Sequence, residues 1–293
     1  MSKELFPNEQ MIEVHELSPG YDNHASDVWL VKTNEKERIV RSSRMVGEPS
    51  NEFWMGCLTL FGIDPRRLTD LKITHHTLSQ QTTMPIPAFI DMKRVGDREY
   101  AILEKMNGQM IHSFLDQPLS VIKSLGAGLA EIHAIKRDYT GSPSRTFTIP
   151  LDRFYSHVSE TMSQLVSNFY KDQIDFIETL QIAQQQLKHI PQLESSTFVL
   201  IDMDPTQFLT DGNVITGLVD TEAYVVAPRE LDFIGLEYVL DEQSAAAFKE
   251  GYQTVLEPPQ LEHVRMPYRF LYRLLSVQGS VELETWMNEK TLF

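Results

Sequence analysis

The amino-acid sequence predicts an α+β chain of two lobes, an N-terminal antiparallel sheet lobe followed by a mainly helical one. Apolar and polar residues alternate with period two through most of the first hundred positions. Helical spacing takes over after Asn107-Gly108. Inside the helical lobe a single stretch returns to strands, Phe198 to Asp220, where two apolar runs enclose a polar loop. A boundary near Met106 therefore separates lobes 1–106 and 107–293, and a cleft between lobes is a usual ligand site.

Met11 to Leu17 alternates and stops at Ser18-Pro19-Gly20; Asp27 to Thr33 and Glu37 to Ser43 complete a three-strand meander. The connection Ser18 to Ser26 can fold over a phosphate with its backbone N–H groups. It carries one glycine, Gly20, and a plain hairpin turn is the simpler reading. Asn51 to Phe61 and Asp64 to Gln80 read as helices, the second opened by Asp64-Pro65. Pro85 and Pro87 mark an extended entry to a fourth strand, and Gly96-Asp97 turns it into a fifth. Ser120 to Ile135 sets Val121, Ile122, Leu125, Leu129 and Ile132 on one helical face. Helices follow at Arg153 to Tyr170 and Asp172 to Ile190. After the strand stretch come LDFIGLEYVL, a helix near Ser244 to Val255, and a last helix from Pro267 to Met287.

The net charge of −15, from 26 Lys and Arg against 41 Asp and Glu, argues against general nucleic-acid or anionic-membrane binding. It suits a cationic substrate and plain solubility alike. The single cysteine, Cys57, lies in EFWMGCLTLF and reads as a small core hydrophobe, with Trp54 and Met55 as core beside it. The N-terminus lacks a hydrophobic signal core and no run is long enough to span a bilayer, so a cytoplasmic location is expected. Without CxxC or HExxH there is no case for structural zinc. The adjacent pair His75-His76 reads as surface or helix-flank residues, and His133, ending an amphipathic helix, as a satisfied core histidine.

The central stretch reads FVLIDMDPTQFLTDGNVITGLVD. Asp202 closes the first apolar run, Gln207 follows five positions later, and Asp220 ends the second run. Thr210 to Asn213 has the Asp-Gly chemistry of a tight hairpin. Strand pairing brings two carboxylates and an amide together, although Asp220 could also simply cap the hairpin.

This layout and spacing resemble the aminoglycoside phosphotransferase and choline-kinase group of small-molecule kinases, which share the two-lobed protein-kinase-like fold. The resemblance runs along nearly the whole chain and is specific mainly in residues 198–237. Leu200, Asp202, Gln207 and Asp220 match the family's histidine, catalytic aspartate, asparagine and metal-binding aspartate; VVAPRELDF sets Asp232 on the structural aspartate that braces the catalytic loop. MPIP, LAEIH and FKEGY are weaker echoes. Leu200 for histidine, Gln207 for asparagine and Asp204 for a frequent histidine are departures.

The resemblance implies a phosphotransferase that uses ATP and Mg²⁺, moving the γ-phosphate to a hydroxyl of a small molecule such as an aminoglycoside-like antibiotic or amino-alcohol. Such chemistry needs alignment and charge neutralisation. Asp202 then orients the acceptor hydroxyl and takes its proton; Asp220 and Gln207 bind Mg²⁺, and Glu222 supports a second ion through water. For the nucleotide, the resemblance implies Gly20 in the phosphate loop and Arg41 as the phosphate cation, with Asp70 or Glu52 as its acidic partner and Asp70 favoured. Leu103 falls at the back of the adenine pocket, and the backbone of Glu104 to Met106 along its edge. The acceptor pocket falls to residues about 140–190 and the C-terminal helices, whose acids and aromatics suit an amine. The other class of protein open to this sequence is a kinase-like binding module that keeps the fold without catalysis.

Overall fold

The computed structural model describes residues 3–17 and 25–293, so the expectation for Gly20 lies outside the described residues. Strands β1 (Met11–Glu16), β2 (Ser26–Thr33), β3 (Glu37–Ser43), β4 (Phe89–Val95) and β5 (Arg98–Glu104) form an antiparallel sheet in the order β1-β2-β3-β5-β4. Alternation gives the sheet two apolar faces. Val31, Val40 and Ile102 bury against Leu5 and Phe6, while Ala101 and Leu103 bury against Leu68 and Leu71. The register Val40↔Ile102 beside Ile39↔Leu103 keeps those two sets apart.

Helices α1 (Glu52–Phe61) and α2 (Thr69–Gln81) lie between β3 and β4. Asn51 caps α1, its side chain accepting from Trp54 N at 2.8 Å, and Gly62 ends it in the left-handed region. Asp64-Pro65 does not start α2, as the sequence suggested. Asp64 is buried in a turn that accepts the Arg66 amide at 3.0 Å and the Arg66 guanidinium at 2.8 Å, which leaves the helix to begin at Thr69. Trp54, Cys57, Leu60 and Phe61 of α1 join the main core of the helical lobe, so packing crosses position 106.

After β5 come β6 (Gln109–Met110), α3 (Leu119–His133), β7 (Tyr139–Gly141), β8 (Thr148–Pro150), α4 (Phe154–Phe169) and α5 (Ile174–Leu187). Strands β9 (Thr197–Leu200), β10 (Phe208–Thr210), β11 (Ile215–Leu218) and β12 (Tyr224–Ala227) follow, then α6 (Glu230–Val239), α7 (Glu242–Tyr252), α8 (Arg265–Leu274) and α9 (Leu283–Met287). The last helix expected from sequence is thus two, broken where Ser276 and Gly279 take φ of 52° and 77°. Among the described residues no helix is long and apolar enough to cross a membrane.

Helices α3 and α7 touch through glycines. A Cβ at Gly251 would stand 1.8 Å from the Lys123 carbonyl oxygen, and one at Gly126 would stand 2.1 Å from that of Phe248. Backbone cannot yield as a side-chain tip can, so a methyl group forces the helices apart. Gly251→Ala is expected to cost about 1–3 kcal/mol, read as a lower urea midpoint at unchanged slope.

Candidate active site

The site grows from the end of β9. This strand pairs antiparallel with β12, Leu200 opposite Tyr224, and not with the 214–219 run that the sequence suggested as its partner. That run supplies β11, which pairs with β10 across the Asp211-Gly212 turn. Asp211 accepts from the amides of Asn213 and Val214, at 2.8 and 3.0 Å, and Gly212 supplies a φ of 90°. Two adjacent sheets therefore deliver the loop, where sequence implied one.

Asp232 holds the exit of β9. Fully buried on α6, its carboxylate accepts the Leu200 amide at 2.9 Å and lies 2.9 Å from His133 Nε2. The other His133 nitrogen lies 2.9 Å from the Tyr252 hydroxyl, so His133 is a satisfied core histidine, as expected from its helix. Two residues past Leu200 stands Asp202. Burial, then the charges of Asp204 and Asp220, push its carboxyl up to about 7. Its surroundings include α1, because burial and then the Asp202 charge raise the buried thiol of Cys57; Tyr272 of α8 is raised by burial first, then by Asp232 and Cys57, and least by Asp202.

Asp204 caps a one-turn helix, Pro205–Gln207, by accepting from Thr206 N at 2.8 Å. The turn ends on Gln207, whose carbonyl accepts from Val219 N at 2.8 Å. That bond sets Gln207 beside the residue preceding Asp220. Gln207 is buried, and its Oε1 has no hydrogen-bond partner among the described residues. The Asp220 side chain is 44% exposed. A buried, unpartnered amide oxygen and a part-exposed carboxylate are donor chemistry that Mg²⁺ accepts, so the residue types at these two positions fit the ion. No group of three His, Cys, Asp or Glu side chains that could hold a metal occurs among the described residues.

Arg41 has other acidic partners than those expected. It is 4% exposed and pairs with Asp220 (Nη1 to Oδ1 2.9 Å, Nη2 to Oδ2 3.4 Å) and with Glu222 (Nη2 to Oε2 2.9 Å). Burial opposes its charge, but the two carboxylates overcome burial and raise its affinity for the proton. Burial likewise opposes ionisation of Asp220, and Arg41 nevertheless holds it below the usual carboxylate range. Glu222 has one oxygen on Arg41 and the other on the Ser26 hydroxyl, with a side chain only 10% exposed. Both of its oxygens are thus engaged by protein groups.

The acidic partner expected for Arg41 is corrected. Asp70 points to the β7–β8 connection, where it accepts from Ser144 N at 2.8 Å. Glu52 forms no ion pair with Arg41 either; the Arg41 ion pairs are to Asp220 and Glu222. What α2 brings near is His75, close enough to feel the charges of Arg41 and Asp220. Contrary to its surface reading His75 is 1% exposed, with Nδ1 2.7 Å from the Pro87 carbonyl oxygen, and burial pushes its pKa down to about 4. A neutral imidazole cannot balance a guanidinium, which accounts for the turn of Arg41 toward the loop acids. Sequence reasoning missed both His75 and Ser26; spacing alone could not reveal which face of α2 meets β3.

Near the end of β5, Leu103 is buried on the sheet face that packs on Leu68 and Leu71. The Glu104 amide is taken by the Ala88 carbonyl at 2.9 Å, and its carboxylate accepts the Ala88 amide at 3.1 Å. No loop or turn backbone bond among the described residues takes the Met106 amide, so it stays a candidate donor only.

Comparison with curated proteins gives no match. Among solved structures, the chain is similar to the GDP complex of wild-type aminoglycoside 2'-phosphotransferase-IIIa, with TM-score 0.64, 16% identity, and coverage of 94% of this chain and 87% of that one. Spectinomycin phosphotransferase in complex with ADP and spectinomycin gives TM-score 0.61 at 12% identity, covering 94% and 84%. Macrolide 2'-phosphotransferase from Brachybacterium faecium gives TM-score 0.63 at 11% identity, covering 99% of both chains. At these identities the likeness establishes the kinase-like fold. The model of the phosphotransferase enzyme family matches residues 14–268, most of the chain, and the protein belongs to that family.

Proposed function

We propose that the protein transfers the γ-phosphoryl group of ATP to a hydroxyl of a small molecule. The observation that carries this reading is Asp202, a carboxyl brought to about 7 at the end of a braced loop, beside Asp220. A general base works best when its pKa lies near the operating pH. Asp202 orients the acceptor hydroxyl and receives its proton. Gln207 and Asp220 would hold Mg²⁺, which when bound neutralises charge on the nucleotide phosphates. Arg41 binds those phosphates from β3. Leu103 and the hinge backbone at Glu104 and Met106 border the adenine. Structural neighbours bound to ADP or GDP support nucleotide use, and those named for spectinomycin and macrolides support a small-molecule acceptor.

ATP in the presence of Mg²⁺ is expected to stabilise the native chain by about 2.7 kcal/mol at a hundredfold excess over Kd, read as a rise in Tm. A chain whose Tm responds to neither ATP nor GTP would lose this assignment. One observation favours a second reading, a nucleotide-binding module without catalysis: Arg41 occupies both oxygens of Asp220. That reading expects binding indifferent to Mg²⁺. A phosphorylation screen over aminoglycosides, macrolides, choline and amino-alcohols then identifies the acceptor.

A further inference from the structure

We infer that Glu222, and not an acid of α2, is the positioning residue for Arg41, fixing the guanidinium that meets the nucleotide phosphates. The inference rests on the phosphotransferase reading and deepens it. Arg41 and Ser26 lie on neighbouring strands of one ladder, Ser26 opposite Ser43 and Val28 opposite Arg41. Glu222 spans them, one carboxylate oxygen on the Ser26 hydroxyl and the other on Arg41 Nη2 at 2.9 Å. The acid thus ties the loop after Asp220 to two strands of the N-terminal sheet.

The two acids that Arg41 touches are not equivalent. Asp220 is 44% exposed, and one of its two bonds to Arg41 is long, at 3.4 Å. Glu222 is 10% exposed and its second oxygen is already satisfied. Asp220 is therefore the partner Arg41 can release when that carboxylate turns to another cation, and Glu222 is the one it keeps. The alternatives on α2 are absent: Asp70 is committed to the Ser144 amide, and the residue near Arg41 is the imidazole of His75. Charge-assisted bonds of this kind fix orientation as well as charge, and a guanidinium without one would swing among rotamers.

The test is a double-mutant cycle on the whole chain, with ATP, ADP and adenosine affinities measured by calorimetry, with Mg²⁺ and again in EDTA. Glu222→Ala is expected to weaken ATP about tenfold and to leave adenosine unchanged. In an Arg41→Met background the same change should shift ATP less than about twofold, because the group it positions is gone. Ser26→Ala should reproduce some of the loss. Glu222→Gln keeps the volume and the Ser26 bond; it should melt with the wild type, yet bind ATP less tightly, which guards against a misfolded alanine variant. A loss that appears only with Mg²⁺ and persists with Arg41→Met would make Glu222 a metal ligand and overturn the inference. Equal ATP affinity in wild type and both Glu222 variants would overturn it while leaving the phosphotransferase reading standing. A wild type that binds no nucleotide in either condition would remove both.

Discussion

Replacing Asp202 by Asn is expected to lower phosphate transfer by about 10²–10⁴-fold while nucleotide affinity stays within about twofold. Asn keeps the shape and can still contact a hydroxyl, but it cannot take a proton. The expected loss falls on kcat, because the proton moves only as the acceptor oxygen attacks. The raised pKa of Asp202 adds a signature in pH. Only the ionised carboxylate accepts a proton, so kcat/KM of the free enzyme rises with pH and levels off above about 7. Burial is the leading cause of that shift and the Asp204 charge the next, so Asp204→Asn should move the rising limb to lower pH. The substituted amide at position 204 can still accept the Thr206 N–H and cap the turn, so the shift reports charge and not a lost fold. Undiminished transfer to a proven acceptor by the Asp202→Asn variant would remove Asp202 from the chemistry. A limb unmoved by Asp204→Asn would remove the electrostatic account of its pKa.

The strands of the N-terminal sheet were legible because apolar and polar residues alternate along them, as a pleated strand requires. The Asp211-Gly212 turn was legible because its geometry demands those residues. The partner of β9 was not, since β12 approaches through the fold and the run after the turn is as apolar as β12 itself. Asp64-Pro65 misled because proline is as much at home in a buried turn as at a helix start. Spacing and the family resemblance singled out Asp202 and Asp220 as candidates and Arg41 as a cation, but not the pairing of Arg41 with Asp220 and Glu222. Arg41 is on a strand, where sequence says which face it takes but not which distant acid lies there. His75 looked exposed beside His76, yet the two fall on different faces of α2, one under Pro87 and one in solvent. Gln207 is tied to the residue before Asp220 by a single backbone bond, from Val219 N to its carbonyl, and no residue preference encodes that bond.

The second large effect is on stability and reaches the site indirectly. Asp232→Ala leaves the Leu200 amide and His133 Nε2 without their partner in a region that is fully buried. Each orphaned buried group costs on the order of 1–3 kcal/mol and the cavity adds to it, so a loss of about 3–5 kcal/mol is expected. For a chain of this size that lowers Tm by roughly 10 °C. Asp232→Asn separates packing from polarity. Its amide oxygen can accept the Leu200 N–H and its NH₂ can donate to His133 Nε2, provided the imidazole carries its proton on Nδ1 toward the Tyr252 hydroxyl. The tautomer change costs less than an empty site, so Asn should restore most of the lost Tm. Leu200 stands two residues before Asp202, so the same bond aims the proposed base. The Asn variant should therefore regain transfer along with stability, and the Ala variant should remain slow even at temperatures where it is fully folded. Full activity in folded Asp232→Ala would mean that the loop keeps its position without this brace, and Asp232 would then contribute stability alone.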